Sequence, residues 1–292
     1  MSKNPEGKTG INGKRRLFSR LVHRFSGATF VERPLDSPYE ASTGVAVKVE
    51  HLYKSFSGTT VLRDINLEIE AGETFSIIGP SGTGKSVLLK HLARLIRPDQ
   101  GAIRIGGVDI LSGMPAEGVT GYRYSMVFQS SALFNSLTVG ENVGLWLREK
   151  QVCSEARVRR IIREKLRLVG LAGKEEVPTS QLSGGMKKRV AIARSLAMNP
   201  DLILYDEPTA ELDPVTSDEL ARVIQNLKQE VNLTTIIVTH DLNFAMYLSD
   251  RIAMINGGEI VEVGTPAEIK ASRNPVIRNF IYTTTKGIKG ED

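Results

Sequence analysis

The stretch "SIIGPSGTGKSVLLKHLARL", residues 76–95, places a glycine-rich loop between an apolar run and a helical pattern. The loop, residues 79–86, has the spacing G-x-x-x-x-G-K-S of a phosphate-binding loop, in the strand–loop–helix context that this chemistry requires. Its glycines let the backbone curl so that N–H groups face phosphate oxygens, and the helix adds the positive end of its dipole. We therefore expect a strand, a loop that binds a nucleotide phosphate, and a helix over residues 87–95.

Two side chains of this loop carry its chemistry, and two acids later in the chain complement them. Lys85 can reach the β- and γ-phosphates, and the Ser86 hydroxyl can hold Mg²⁺. The apolar run "LILY", residues 202–205, leads directly into Asp206, which is placed to bind Mg²⁺ through water. Glu207 is then free to orient or deprotonate an attacking water. Without a metal and a water, two adjacent acids ending a buried strand would repel each other and lose hydration.

A second glycine-rich helix start lies between these two strands. In "QLSGGMKKRVAIARSLAMNP", residues 181–200, Ser183, Gly184 and Gly185 precede an apolar-periodic helix that stops at the Asn-Pro pair. Such a start can bind an anion. Because the first loop already holds one nucleotide, we expect this one to serve a phosphate presented by another copy of the chain. A helix cap without a ligand is the alternative interpretation.

Length and composition indicate an ordinary globular protein with a large core. The chain has 292 residues, 41% hydrophobic and 24% charged, which suits one large domain or a domain with an inserted lobe. No window approaches 18 consecutive apolar residues, so we expect no membrane-spanning helix. Cys153 is the only cysteine, which excludes an intrachain disulfide and favours a cytosolic setting.

The net charge of +5 is concentrated at the N-terminus. Residues 1–25 hold seven Lys or Arg and one acid, and the remaining chain carries 31 basic and 32 acidic residues. The folded body has no basic excess, so we predict that it does not bind nucleic acid. Apolar residues within positions 17–25 share a helical stripe between arginines, a pattern that can lie on an anionic membrane surface. A solvated tail or a targeting segment fits it equally well.

Further short motifs accompany the phosphate loop in a fixed order. They are Phe56 in "KSFSG", Gln129 in "MVFQ", "LSGGM" at residues 182–186, "LILYDE" at 202–207, "ELDP" at 211–214 and His240 in "VTHD". Together they resemble the nucleotide-binding subunit of ATP-binding cassette (ABC) transporters over roughly residues 45–271. The resemblance implies an α/β fold: a P-loop NTPase (RecA-like) core with an antiparallel β subdomain and an inserted helical subdomain at about 130–181. A basic tail and linker (1–44) and a C-terminal extension (272–292) would flank it.

The same resemblance implies a head-to-tail homodimer that sandwiches two ATP molecules, with Mg²⁺ as the metal. Catalytic roles would fall to Glu207, His240, Gln129 and Lys85, and the metal ligands would be Ser86, Gln129 and Asp206. The residues assigned to ATP binding are Phe56, Gly79, Pro80, Ser81, Gly82, Thr83, Gly84, Lys85, Ser86, Ser183, Gly184, Gly185 and Asp213. Without the accompanying motifs, Phe56 would be interpreted as a core strand aromatic and His240 as a core or surface histidine.

The helical segment carries a more specific resemblance. The stretch "FQSSALFNSLTVGENVGLWLRE", residues 128–149, together with "NPVIRNF" at 274–280, is similar to the Mla/Mkl group of ATPases, whose transporters are built around MCE-type lipid-binding proteins. This implies phospholipid transport across a cell envelope, with the ATPase peripheral on the cytoplasmic face of the inner (plasma) membrane. The implied partners are transmembrane permease subunits, an MCE-domain protein and a small regulatory subunit. Leu133 and Phe134 are candidates for the permease contact, with packing inside the lobe as the alternative.

Other classes share the catalytic motifs and stay open as alternatives. The ATPase of an importer of amino acids or other small polar solutes differs only in the helical and C-terminal resemblance. ABC ATPases of DNA repair or ribosomes usually show a coiled-coil insertion or tandem cassettes, and neither pattern is present in this sequence. A binding module without catalysis is disfavoured because each catalytic motif is intact.

One position departs from the family pattern. Where the family usually has glycine in "GLDP", this sequence has Glu211. An acid there adds bulk and negative charge near the paired sites and removes a residue that tolerates positive φ. We hypothesise that Glu211 meets a basic residue across the dimer seam or slows closure of the dimer.

Overall fold

The computed structural model describes residues 42–111 and 122–286. The predictions for the basic tail and for the last six residues fall outside these ranges. In the described part, no helix is both long and apolar enough to cross a membrane.

An antiparallel sheet of four strands, in the order β2-β1-β4-β5, forms the smaller sheet. Along its central strand β1, buried valines alternate with exposed polar residues, because one face of this sheet covers the core. The strands are β1 (Val47–Phe56), β2 (Thr59–Ile69), β4 (Gln100–Ile105) and β5 (Val108–Asp109).

The larger sheet has six strands in the order β10-β9-β3-β8-β7-β6, and all neighbouring pairs except β9–β10 are parallel. Every residue of β3, β7 and β8 is buried, and Asp206 at the end of β7 is the one charged residue in these three strands. Its strands are β3 (Thr74–Ile78), β6 (Tyr124–Val127), β7 (Leu202–Asp206), β8 (Thr234–Thr239), β9 (Arg251–Asn256) and β10 (Glu259–Gly264).

Eight α-helices and one 3₁₀ turn, Thr179–Gln181, complete the described part of the chain. The helices are α1 (Lys85–Leu92), α2 (Val139–Glu149), α3 (Glu155–Leu168), α4 (Gly184–Leu196), α5 (Pro214–Glu230), α6 (Leu242–Leu248), α7 (Pro266–Ala271) and α8 (Pro275–Lys286). With the two sheets they form the α/β architecture that the sequence predicts.

Helix α1 differs from its predicted bounds of residues 87–95, beginning two residues earlier and ending three residues earlier. It ends in a Schellman motif: Leu95 N–H donates to the Lys90 carbonyl (2.8 Å) and Arg94 N–H to the His91 carbonyl (2.9 Å). Arg94 takes the left-handed conformation (φ 55°) that glycine usually supplies at this place. No glycine marks this stop in the sequence, so the apolar pattern alone predicts too late an end for the helix.

Helices α2 and α3 lie in the insertion between β6 and β7 and pack against α4. Val143 and Leu147 of α2, Ile161 and Leu166 of α3, and Val190 of α4 are buried in one hydrophobic cluster. Thr138 starts α2 with a capping box, in which its hydroxyl accepts from Glu141 N–H and the Glu141 carboxylate accepts from Thr138 N–H. The helical insertion is therefore packed onto the helix that follows the "LSGGM" motif.

The C-terminal helix α8 packs against its own chain. Ile277 and Phe280 lie in a hydrophobic cluster with Ile78, the last residue of β3, and Met254 of β9. Val276 and Ile281 pack on the same cluster from partly buried positions. This helix thus supports the strand from which the phosphate loop departs.

Candidate active site

The parallel strands of the large sheet bring four predicted motifs to one edge. The phosphate loop follows β3, Gln129 lies two residues beyond β6, Asp206 and Glu207 lie at the end of β7, and His240 follows β8. Carboxyl ends of parallel strands meet at the same edge of a sheet, which is where ligands of open α/β folds bind. We call this the catalytic edge.

The phosphate loop needs glycine at two positions for reasons of space as well as backbone conformation. Gly79 (φ 150°) and Gly84 (φ 100°) both have positive φ. A Cβ on Gly79 would collide with the Ile255 carbonyl oxygen, and one on Gly84 would lie 2.7 Å from Leu62 Cδ2. The loop is therefore pressed against β9 and β2, and its curled backbone leaves no room for side chains there.

Lys85 is buried at the first position of α1. Its Nζ donates to the carbonyl oxygens of Gly79 (2.8 Å) and Pro80 (2.9 Å), and lies 3.9 Å from Glu207 Oε1. Burial lowers the pKa of Lys85, against the attraction of Glu207 and Asp206. The ammonium thus lies between the loop's own carbonyl groups and the two carboxylates.

Ser86 and Asp206 form a pair of oxygen ligands. Ser86 Oγ donates to Asp206 Oδ1 at 2.8 Å. No group of three or more His, Cys, Asp or Glu able to hold a metal occurs among residues 42–111 and 122–286. One hydroxyl and one carboxylate fit Mg²⁺, which prefers oxygen and usually takes its remaining ligands from water and substrate phosphates. The Gln129 side chain, the third predicted ligand, is exposed and does not join this pair.

Glu207 and His240 contact each other directly. Glu207 Oε2 lies 2.9 Å from His240 Nδ1 and accepts from the His240 backbone N–H at 3.2 Å. The Glu207 side chain is 13% exposed and that of His240 is 56% exposed. Glu207 has φ 47°, a left-handed conformation that is uncommon for a non-glycine residue and clusters at functional sites. The carboxylate is thereby aimed at the space between Lys85 and His240.

Ser183 and Asp213, two of the residues predicted to bind ATP, act as helix caps. Ser183 Oγ accepts from Met186 N–H at 3.3 Å at the start of α4. Asp213 Oδ1 accepts from Thr216 N–H (3.0 Å) and Oδ2 from Thr216 Oγ1 (2.6 Å) at the start of α5. These hydrogen bonds lower the pKa of Asp213. A contact of either residue with a partner's nucleotide stays a prediction.

Of the remaining predicted ATP-binding residues, Gly185 is buried against Thr216 and most of the others are exposed. Phe56 is 45% exposed at the end of β1, and Lys54 Nζ lies 5.2 Å from its ring centroid. Ser81 and Gly82 are exposed, and Thr83 Oγ1 donates to the Pro80 carbonyl at 2.9 Å. Gly184 at the start of α4 is also exposed. The exposed positions are accessible to a nucleotide.

Sequence reasoning missed a set of side chains that hold the segment after Gln129. The Lys188 ammonium donates to the Gln129 carbonyl oxygen. The Arg194 guanidinium donates to the carbonyls of Ala132 (2.7 Å) and Ser131 (3.0 Å). Asn142, fully buried on α2, bonds both backbone groups of Phe134. The only local sign in the sequence is the lysine pair at residues 187–188, and a lysine pair on a helix usually indicates a solvated face.

Comparison with known proteins agrees with this geometry. The model of the family described as "ABC transporter" matches residues 62–210. The chain is 40% identical over 240 residues to "Probable ribonucleotide transport ATP-binding protein mkl" of Mycobacterium leprae, covering 82% of this chain and 69% of that protein. It is 38% identical over 268 residues to "Protein TRIGALACTOSYLDIACYLGLYCEROL 3, chloroplastic" of Arabidopsis thaliana, covering 85% of this chain and 76% of that protein.

Polar-solute importers are about as similar in sequence. The "Spermidine/putrescine import ATP-binding protein PotA" of Fusobacterium nucleatum is 41% identical over 236 residues, covering 80% of this chain and 61% of that protein. Among solved structures, a dimeric ATP-binding cassette in a post-hydrolysis state bound to ADP and Pi superposes with a TM-score of 0.67 at 33% identity, covering 75% of this chain and 98% of that chain.

The fold and the catalytic edge define a P-loop ATPase of the cassette type. The chain belongs to the ABC transporter family, as an ATP-binding subunit with ATPase activity.

Proposed function

We propose that this chain is the ATPase of a transporter that moves phospholipid across a cell envelope, together with permease subunits and an MCE-type lipid-binding protein. The ATPase would act as a homodimer bound peripherally to the cytoplasmic face of the inner membrane. The observation that carries the hydrolytic part is the Glu207 carboxylate, placed 2.9 Å from His240 Nδ1 and 3.9 Å from Lys85 Nζ.

In the proposed hydrolysis step, a water attacks the γ-phosphorus in line with the bond to ADP. Glu207 takes the proton of that water as its oxygen bonds to phosphorus, and the bridging oxygen leaves with ADP. Lys85 exchanges the carbonyls of Gly79 and Pro80 for phosphate oxygens, and His240 contacts the γ-phosphate. Mg²⁺, held by Ser86 and Asp206 when bound, would neutralise charge on the phosphate oxygens. ATP binding would close the dimer and pull on the permease, and hydrolysis would reset it.

The lipid assignment is supported by the helical insertion rather than by the catalytic edge. Residues 128–149 carry the resemblance to the Mla/Mkl group, and α2 with the segment before it occupies this stretch. The Arabidopsis relative, whose name is that of a galactolipid, matches 85% of the chain. The mycobacterial relatives are named for ribonucleotide transport, so the names of the relatives do not agree on one substrate.

A polar-solute importer is the second candidate function. The similarity to the spermidine/putrescine import protein is as high as that to the mycobacterial relative, 41% against 40% identity. Both candidates use the same catalytic residues, so the distinction must come from the partners of the transporter.

The deciding experiment isolates the full chain with its partners from native membranes in mild detergent. We expect a multispanning permease, an MCE-domain protein and bound phospholipid to co-purify with the tagged chain. A permease with a soluble solute-binding protein would instead establish the polar-solute importer. Recovery only with ribosomes or nucleic acid would contradict the transporter proposal and leave the ATPase assignment intact.

A further inference from the structure

The backbone just after Gln129 is held in an unfavourable conformation. Ser131 (φ 61°) and Ala132 (φ 45°) are consecutive non-glycine residues in the left-handed region. Such residues persist only where their surroundings hold them. Here the surroundings are two cations, because Lys188 and Arg194 donate to the carbonyl groups of residues 129, 131 and 132. We call residues 129–132 the Q-loop, and the Q-loop together with these two side chains the Q-loop clamp.

Both cations of the Q-loop clamp project from α4, the helix that starts immediately after Ser183. Lys188 is only 5% exposed and its bond to the Gln129 carbonyl is partly buried, so its removal would take the donor from a carbonyl with limited access to water. Burial lowers the pKa of Lys188, against the attraction of Glu211, Glu207 and Asp206. Lys188 is therefore a buried cation that bonds the Gln129 backbone and is attracted by three nearby carboxylates.

The buried Lys188 ammonium links two segments of the chain whose proposed roles concern two different ATP molecules. The proposed role of Gln129 concerns the ATP bound by its own chain, whereas the proposed role of Ser183 concerns the ATP of the partner. Hydrogen bonds from α4 to residues 129–132 give a direct mechanical path between these two ends inside one protomer. Because two side chains of α4 bond three carbonyls of residues 129–132, Gln129 and Ser183 have little freedom to move independently.

We propose that Lys188 and Arg194 are positioning residues for ATP hydrolysis, which fix residues 129–132 to helix α4 so that Gln129 and Ser183 move together. The proposal rests on the site roles proposed above, and it does not depend on what the transporter carries. Neither cation touches the phosphate loop, Lys85 or Phe56, so ATP affinity should not depend on them. The expected consequence of losing the clamp is a lower rate of turnover at an unchanged KM.

The test compares Lys188→Met with Lys187→Met in the full-length chain. Lys187 is the neighbouring lysine on α4, and its side chain has no hydrogen bond or ion pair among the described residues, which makes it a matched control. For Lys188→Met we expect kcat to fall about tenfold with KM for ATP within twofold, since an orienting contact is lost and binding contacts are kept. Lys187→Met should keep both values, and Lys188→Arg should recover most of kcat because it restores a cationic donor.

Hydrogen–deuterium exchange on the nucleotide-free protein gives a readout that needs no activity. Peptides covering residues 130–134 should exchange faster in Lys188→Met and in Arg194→Met than in the wild type or Lys187→Met. If Lys188→Met does not fold, Arg194→Met should still show the fall in kcat at constant KM. Unchanged exchange with kcat within twofold of wild type overturns the proposal. Equal losses in Lys188→Arg and Lys188→Met, with equally lowered melting temperatures, also overturn it in favour of simple packing.

Discussion

The catalytic edge and the helical insertion differ in the hydrogen-bond partners of their carboxylate and amide side chains. At the catalytic edge, both acids bond to other side chains, in the Ser86–Asp206 and Glu207–His240 pairs, while Lys85 bonds the loop carbonyls that a phosphate would replace. In the insertion, side chains bond to backbone, as Asn142 does with Phe134 and Thr138. Pairs of side chains at the edge are available to be rearranged by a ligand, whereas bonds to backbone hold a loop in one shape. We therefore expect substitutions at the edge to change turnover and substitutions in the insertion to change stability.

The largest effect should come from Lys85→Ala. It removes the cation that we assign to the β- and γ-phosphates, so ATP binding should weaken at least tenfold and turnover should fall below detection. ATP titration and phosphate release measure the two effects. Lys90→Ala, an exposed lysine on the same helix, is the matched control and should keep both values. Wild-type ATP affinity in Lys85→Ala would show that the phosphate loop binds its ligand without this cation.

Glu207→Gln tests the general base and should lower kcat by about a thousandfold, within the range ascribed to general acid–base catalysis. The amide cannot accept the proton of the attacking water, yet it keeps the size of the side chain, so ATP should still bind. Closed dimers should then accumulate with ATP, which size-exclusion chromatography with light scattering measures. Glu230→Gln, at the exposed end of α5, should turn over ATP normally. Wild-type turnover in Glu207→Gln would contradict the assignment of this carboxylate.

Much of the catalytic edge could be predicted from the sequence because its motifs are local. The loop spacing around Lys85 and the acids ending the run "LILY" identify their neighbours without knowledge of the fold, and parallel strands then bring them to one edge. The structure adds the contact between Glu207 and His240, which lie 33 positions apart in the sequence.

What sequence reasoning could not predict depends on contacts of high sequence separation or on backbone conformation. Lys188 reaches a carbonyl 59 residues away, and nothing in the local pattern distinguishes it from Lys187. The left-handed conformation of Arg94, Ser131 and Ala132 gives no signal, because none of them is glycine, asparagine or aspartate. In each case the surrounding tertiary structure overrides a local preference.

Asn142→Ala tests the insertion and should destabilise the protein by about 2–4 kcal/mol, since it removes the three hydrogen bonds that a fully buried side chain makes with the backbone of Phe134 and Thr138. The folded fraction should keep kcat within twofold, because no contact of the catalytic edge changes. Urea unfolding and steady-state ATPase rates give the two values. Asn226→Ala, at an exposed position on α5, is the control and should have little effect on either. A large fall in kcat without loss of stability would remove the proposed distinction between the two regions.

The smallest effect should come from Glu211, which lies four residues after Glu207, between β7 and α5. Its φ of 67° is the left-handed conformation that glycine adopts without strain, as the sequence comparison with the family suggested. Glu211→Gly should therefore raise stability by up to about 1 kcal/mol, as measured by urea unfolding. Glu211→Ala, which removes the charge but keeps the Cβ, should give little of this gain.

The same two variants separate backbone strain from charge in the effect of Glu211 on turnover. The negative charge of Glu211 raises the pKa of Lys188 in the same chain, against the effect of burial. A basic residue across the dimer seam is therefore not the only cation that can attract Glu211. If the charge slows closure of the dimer, both variants should raise the ATPase rate by a few-fold at low salt, and the difference from wild type should shrink as salt screens the charge. If the backbone conformation is responsible, only Glu211→Gly should change the rate, at every salt concentration. Equal rates in all three proteins across the salt series would contradict a role for Glu211 in closure and leave it only the cost in stability.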